Sequence, residues 1–125
     1  SKALLTTVKE GVDNALDACE EAGIAPDIRV EIHQLDETRF RVVIEDNGPG
    51  IPDDLKERLF TRFERGQTKA SGRGLGLYLV KTLLEDMNGS VTVENRVKDN
   101  YRKGARFVVL LPAIQQPQAE SRKDN

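Results

Sequence analysis

Cysteine and histidine are nearly missing from this 125-residue chain, which has only Cys19 and His33. One cysteine excludes an internal disulfide and fits a reducing, cytoplasmic compartment. One cysteine with one histidine leaves no ligand set for a structural zinc. No apolar run approaches the ~20 residues of a membrane span, and no signal peptide is visible, so no membrane contact is expected of this piece. A basic surplus is lacking too: 19 Lys and Arg against 21 Asp and Glu give a formal net charge of -2, which argues against nucleic acid as a direct ligand. There is no internal repeat and no Gly-Lys-Ser/Thr phosphate loop.

What is present suits one globular domain. Hydrophobic residues make up 38% and charged residues 32%, enough for a single core under a well-solvated surface. The pattern opens on a helix close to Ser1, as in an excised domain, so any membrane segment would lie outside it. From about Ala3 to Ala22 the residues Leu4, Leu5, Val8, Val12, Ala15, Leu16, Cys19 and Ala22 form one apolar stripe, and Gly23 ends the helix. Ile28 to Gln34 and Phe40 to Glu45 alternate apolar and polar residues. They predict an antiparallel hairpin turning at Asp36-Glu37-Thr38.

Asp46 to Pro52 reads as a loop, followed by a short helix carrying Leu55, Leu59, Phe60 and Phe63. A polar segment, Arg65 to Ser71, leads into Gly72-Arg73-Gly74-Leu75-Gly76-Leu77 and a second amphipathic helix whose Leu75, Leu79, Leu83 and Met87 recur at steps of four, with Val80 and Leu84 beside them and Gly89 as its stop. Val91 and Val93, then Arg106 to Leu111, predict two more strands around a charged turn at Lys98 to Asn100. The expected fold class is an α+β two-layer sandwich over residues 1–112, a mixed or antiparallel sheet with helices on one face. Residues 113–125 are expected to be a disordered polar tail.

Three segments carry chemistry. The glycines at 72, 74 and 76 present bare backbone at a helix start, where unpaired N–H groups and the helix dipole attract phosphate. Their spacing is not that of a dinucleotide-binding loop, and a flexible loop before an ordinary helix is the plain alternative. Glu10, Asn14 and Asp17 share one face of the first helix, roughly opposite the apolar stripe. A solvated face is the usual meaning of such carboxylates, but a mid-helix asparagine is a poor helix former, and its amide can ligate a hard cation and bond phosphate, with Glu10 able to hold or polarise a water beside it. Asp46 closes a strand at a point where Asn-Gly alone would signal a hairpin corner, yet the next segment is helical. A carboxylate there can accept from an adenine amino group while Gly48 and Gly50 let the ring approach the backbone.

The ordered set Glu10-x-x-x-Asn14-x-x-Asp17-Ala18, Asp46-x-Gly48-x-Gly50, Phe60-x-x-Phe63 and Gly72-x-Gly74-x-Gly76 resembles the four sequence boxes of the Bergerat-fold (GHKL) ATPases, which include histidine kinases, gyrase-type topoisomerases, MutL and heat-shock chaperones. The segments Leu59 to Arg65, Gly72 to Lys81, Asn88-Gly89 and Gly104 to Pro112 look like the catalytic domain of a two-component sensor histidine kinase, whereas Lys9 to Ile24 resembles the nucleotide-binding subunit of type IIB topoisomerases. The resemblance implies ATP and Mg²⁺ as ligands. It gives Asn14 and Glu10 as catalytic and metal-associated residues, Asp46, Gly48 and Gly50 for adenine, and Gly72, Arg73, Gly74, Leu75, Gly76, Leu77 and Lys69 for the phosphates, with Thr61 to Ser71 as a lid.

By the kinase resemblance, the partners are a separate histidine-bearing dimerisation domain and a response regulator. His33 lies in a strand pattern and is expected to be a surface residue, so this piece alone binds ATP without phosphorylating itself. The alternatives are a topoisomerase- or MutL-like clamp in which Glu10 directs hydrolysis, an anti-sigma type serine kinase, and a docking module without catalysis. Two positions depart from the kinase pattern: Ala105 lacks the hydroxyl common after the glycine, and Asp17 replaces a lysine.

Overall fold

A computed structural model describes residues 2–60 and 74–112. In chain order the elements are α1 (Lys2–Ala22), β1 (Ile28–Asp36), β2 (Arg39–Asp46), α2 (Asp53–Lys56), α3 (Gly74–Asp86), β3 (Ser90–Val97) and β4 (Asn100–Pro112). The four strands form one sheet in the order β1-β2-β4-β3 with every neighbour antiparallel, so the expected sheet is realised without a parallel pair. None of the described helices is long and apolar enough to cross a membrane.

Strand alternation decides which sheet face is covered. Val42 and Ile44 on β2 and Val109 and Leu111 on β4 are buried against Val80 and Leu84 of α3, with Leu4, Val8 and Val12 of α1 packed alongside. Burial of side chains this size stabilises by roughly 1.5–3 kcal/mol each. The opposite face carries the cross-strand row Glu45, Arg106 and Glu94. Arg106 Nε lies 3.2 Å from Glu94 Oε2 without the angle of a hydrogen bond, and such half-exposed pairs add little.

The helices differ from their sequence pattern in which side they bury. On α1 the most buried line is Thr7, Gly11, Asn14, Ala15, Ala18 and Cys19, while Leu5 and Leu16 are 71% and 42% exposed. The reason is close approach: a Cβ on Gly11 would collide with the Ile44 side chain, so the small side of the helix lies on the sheet. On α3 the steps of four drift around the helix, leaving Leu79 53% exposed while Leu77, Val80 and Leu84 are buried.

The β1–β2 turn is fixed by Asp36. Its Oδ1 accepts from the N–H (2.8 Å) and hydroxyl (2.9 Å) of Thr38, and its Oδ2 accepts from Arg39 Nη2 at 2.9 Å. These bonds, led by the Thr38 N–H, hold its carboxyl at about 2, below the ordinary 3.8. A lowered native value means that the stabilisation is complete above the ordinary value and lost as the pH falls through about 2. Carboxyl NMR titration should therefore place the Asp36 midpoint near 2, and Thr38→Ala should raise it.

Candidate functional site

Asn14 is held in one orientation by its own helix. Its Nδ2 donates to the Glu10 carbonyl at 2.7 Å, and because a carbonyl only accepts, the amide oxygen must point the other way. That Oδ1 is buried and has no partner among the described residues, in a residue only 3% exposed. An unsatisfied buried oxygen costs about 1–3 kcal/mol, a penalty that a cation or donor from a ligand would remove. Glu10, one turn earlier, is half-buried. Asp17 is exposed and does not join them, and Asn14 sits on the buried flank of α1 instead of opposite it.

Asp46 ends β2 at 1% exposure. Its Oδ1 accepts from the Gly48 N–H at 2.8 Å and the Ala105 N–H at 3.4 Å, while Oδ2 is buried with no partner among the described residues. One oxygen is thus committed to the protein, and the other faces a place where a donor is wanted. The loop that follows is tied down on both sides. Asn47 donates from Nδ2 to the Ala25 carbonyl at 3.0 Å and accepts at Oδ1 from the Asp27 N–H at 2.8 Å. Lys56 Nζ donates to the Ile51 carbonyl at 2.7 Å.

Two glycines admit close contacts here. A Cβ on Gly48 would lie 3.4 Å from Cys19 Sγ and 3.8 Å from the Ala18 Cβ, which places the loop against α1 one turn beyond Asn14. Gly50 has φ +79°, and a Cβ there would collide with the Tyr101 carbonyl.

Beside Asp46 lies an apolar cluster of Ile51, Leu59, Phe60, Leu77, Ala105 and Phe107, with Phe60 edge-on to Phe107 at 6.2 Å. Ala105 belongs to this cluster and its N–H also donates to Asp46 Oδ1, so the carboxylate lies at the edge of an apolar cluster. Leu77 joins the same cluster and brings the start of α3 to the loop. Its side chain is core, 2% exposed, which leaves its backbone as the part able to meet a ligand.

α3 begins at Gly74, so Gly74 and Gly76 lie within its first turn, with no acidic residue in that turn to repel an anion. The backbone of Leu75 is helical there too. Lys69, Gly72, Arg73, Phe63 and the expected lid lie outside the described residues. The structure therefore brings Asn14, the Asp46 loop and the α3 N-terminus together. Sequence reasoning missed the Ala105 N–H and the place of Phe107 in the apolar cluster. Only the Gly104-Ala105 pair hinted at them, as a position where the kinase pattern carries a hydroxyl after the glycine.

No three His, Cys, Asp or Glu side chains converge on a metal position among the described residues. The fit to a hard cation rests on the Asn14 oxygen, which matches magnesium held by few protein atoms and completed by phosphates and water.

Comparison with known proteins places the chain in a family. Residues 1–115 match the family model described as histidine kinase-, DNA gyrase B-, and HSP90-like ATPase. The B subunit of type 2 DNA topoisomerase 6 from Archaeoglobus fulgidus is 42% identical over 117 residues, 88% of this chain and 19% of that protein. Its counterpart from Pyrococcus furiosus is 51% identical over 69 residues, 55% of this chain and 12% of that protein. The chain therefore spans less than a fifth of these curated relatives.

Among solved structures, the mycobacterial sensor histidine kinase MprB superposes with a TM-score of 0.73 at 29% identity, over 89% of this chain and 70% of that one. The catalytic domain of histidine kinase ThkA gives 0.71 at 28%, over 89% and 66%. With the family matched over nearly its whole length, the chain belongs to the histidine kinase-, gyrase B- and HSP90-like (GHKL) family and is one of its ATP-binding enzyme domains.

Proposed function

We propose that this domain binds ATP with magnesium and hydrolyses it, with Glu10 as general base. The observation that carries the reading is the Glu10 carboxylate, half-buried one turn before Asn14 and committed to no hydrogen bond or ion pair among the described residues. A free carboxylate in that position can take a proton from water as its oxygen attacks the γ-phosphorus and the bond to ADP breaks. Identity to topoisomerase 6 B subunits supports the same reading.

In this reading the Asn14 oxygen holds magnesium, Asp46 Oδ2 accepts from the adenine amino group, and the first N–H groups of α3 face the polyphosphate, with Gly72, Arg73 and Lys69 completing that wall. Magnesium, when bound, draws negative charge from the phosphates.

The structural likeness to kinase catalytic domains favours a second reading, in which a nitrogen of a histidine on a separate dimerisation domain replaces water as nucleophile. A response regulator is the partner it implies, since one matched structure is ThkA in complex with such a protein.

Following γ-labelled phosphate separates the two readings. Free phosphate released by the chain alone supports hydrolysis. Negligible release, with label passed to a supplied histidine-bearing domain, supports the kinase. Asp46→Ala tests what both share: ATP affinity should fall about 100-fold, because a charged acceptor is lost and two buried N–H groups are orphaned. Unchanged affinity in a calorimetric titration would sink the adenine assignment.

A further inference from the structure

Between the pairs Asn95↔Ala105 and Val97↔Asn100, β3 contributes one residue, Arg96, and β4 contributes Tyr101, Arg102, Lys103 and Gly104. This surplus cannot run in the ladder. It is pushed toward the Asp46 loop: the positions where Gly104 and Gly50 lack a Cβ abut the carbonyls of Asp46 and Tyr101 respectively. Gly104, at φ +117°, is followed at once by Ala105, whose N–H is the long, 3.4 Å donor to Asp46 Oδ1.

Two side chains hold the bulge down. Asn100 Oδ1 accepts from the Arg102 N–H at 3.2 Å, and Arg96 Nε donates to the Lys103 carbonyl at 2.7 Å. The Arg96 bond is the shorter, it is charge-assisted, and it acts on the residue next to Gly104. Arg96 Nε also lies 3.1 Å from the position a Gly104 Cβ would take, so the guanidinium covers the turn where the backbone meets Asp46.

We infer that Arg96 is a positioning residue for base recognition: by fastening the β4 bulge through Lys103, it keeps the Ala105 N–H on Asp46 Oδ1 and so aims the unpartnered Oδ2 at the base. Arg96 itself need not touch the nucleotide. Without the bond, the exposed Lys103 carbonyl turns to water, the bulge lifts, and Asp46 loses one of the two donors that fix its carboxylate. The consequence falls on the base and spares the phosphates, which meet α1 and α3. This rests on the ATP reading of the Asp46 site.

Two substitutions isolate the bond. Arg96→Met keeps the side-chain stem and removes the donor, while Arg96→Gln places an amide N–H at the same number of bonds from the backbone without the charge. Affinities of the 125-residue chain and both variants are measured for ATP, for inosine triphosphate, which lacks the amino group, and for inorganic tripolyphosphate. Arg96→Met should reduce the preference for ATP over inosine triphosphate about tenfold, the scale of one charge-assisted hydrogen bond, with tripolyphosphate affinity unchanged. Arg96→Gln should keep most of the preference.

Hydrogen exchange at the Ala105 amide gives a ligand-free check, and should quicken in Arg96→Met more than at Phe107 or Val109. Unaltered base preference in Arg96→Met overturns the inference, as does parallel loss of ATP and tripolyphosphate binding, or a Gln variant as impaired as Met. If the unsubstituted chain shows no preference for ATP over tripolyphosphate, the adenine reading itself fails, a result distinct from failure of the Arg96 variants alone.

Discussion

Glu10→Gln should lower ATP turnover by roughly 100- to 10,000-fold, the usual contribution of a positioned general base, while ATP affinity stays within about twofold. Glutamine has the shape of glutamate and no comparable basicity. The substitution leaves Asn14 where it is, because the group that orients its amide is the backbone carbonyl of residue 10. It also leaves the neighbouring surface pair of Lys9 and Asp13 at 3.0 Å, to which Glu10 adds only a lesser charge effect on Lys9. The change therefore acts on water activation and little else. Phosphate release at saturating ATP and magnesium measures the first quantity, and calorimetric titration measures the second. Turnover that survives Glu10→Gln would remove the base assignment and leave water activation to a different group.

Much of this site is legible in the sequence because its chemistry sits on residue types that are costly elsewhere. A mid-helix asparagine, an aspartate closing a strand before Gly48 and Gly50, and glycines opening a helix each resist a purely structural explanation, and their order along the chain carries the family. The β1–β2 hairpin is legible too, since alternation fixes the faces and Asp36 with Thr38 fixes the turn. Other features depend on distance of approach, which apolar periodicity does not encode. Leu5 and Leu16 belong to the expected stripe of α1, yet the helix packs on Gly11 and Ala18 because small residues let its axis come nearer the sheet. The β4 bulge is hidden for a similar reason: nothing in Asn100 to Ala105 announces that four residues oppose one, and the pairing appears only when both strands are in place.

Gly50→Ala should destabilise the domain by at least about 3 kcal/mol and remove ATP binding, an effect out of proportion to one methyl group. Two costs combine at this position. Its φ of +79° lies in the left-handed region, which alone costs an alanine about 1–2 kcal/mol. The added Cβ would also collide with the Tyr101 carbonyl, and the obstacle is backbone held in β4, not a side chain able to rotate away. Relief requires the Asp46 loop and the bulge to part, which breaks the Ala105 N–H contact with Asp46 and opens the apolar cluster that holds Ile51 and Phe107.

Gly23→Ala provides the internal control. Gly23 has φ +71° at the end of α1, and nothing among the described residues lies within 4 Å of the position its Cβ would take, so only the conformational cost of about 1–2 kcal/mol applies and nucleotide affinity should hold. Urea unfolding of both variants, with ATP titration of each, separates the contributions. A Gly50→Ala protein no less stable than Gly23→Ala would mean that the loop yields without disturbing β4, and the coupling of the Asp46 loop to the bulge would fall with it.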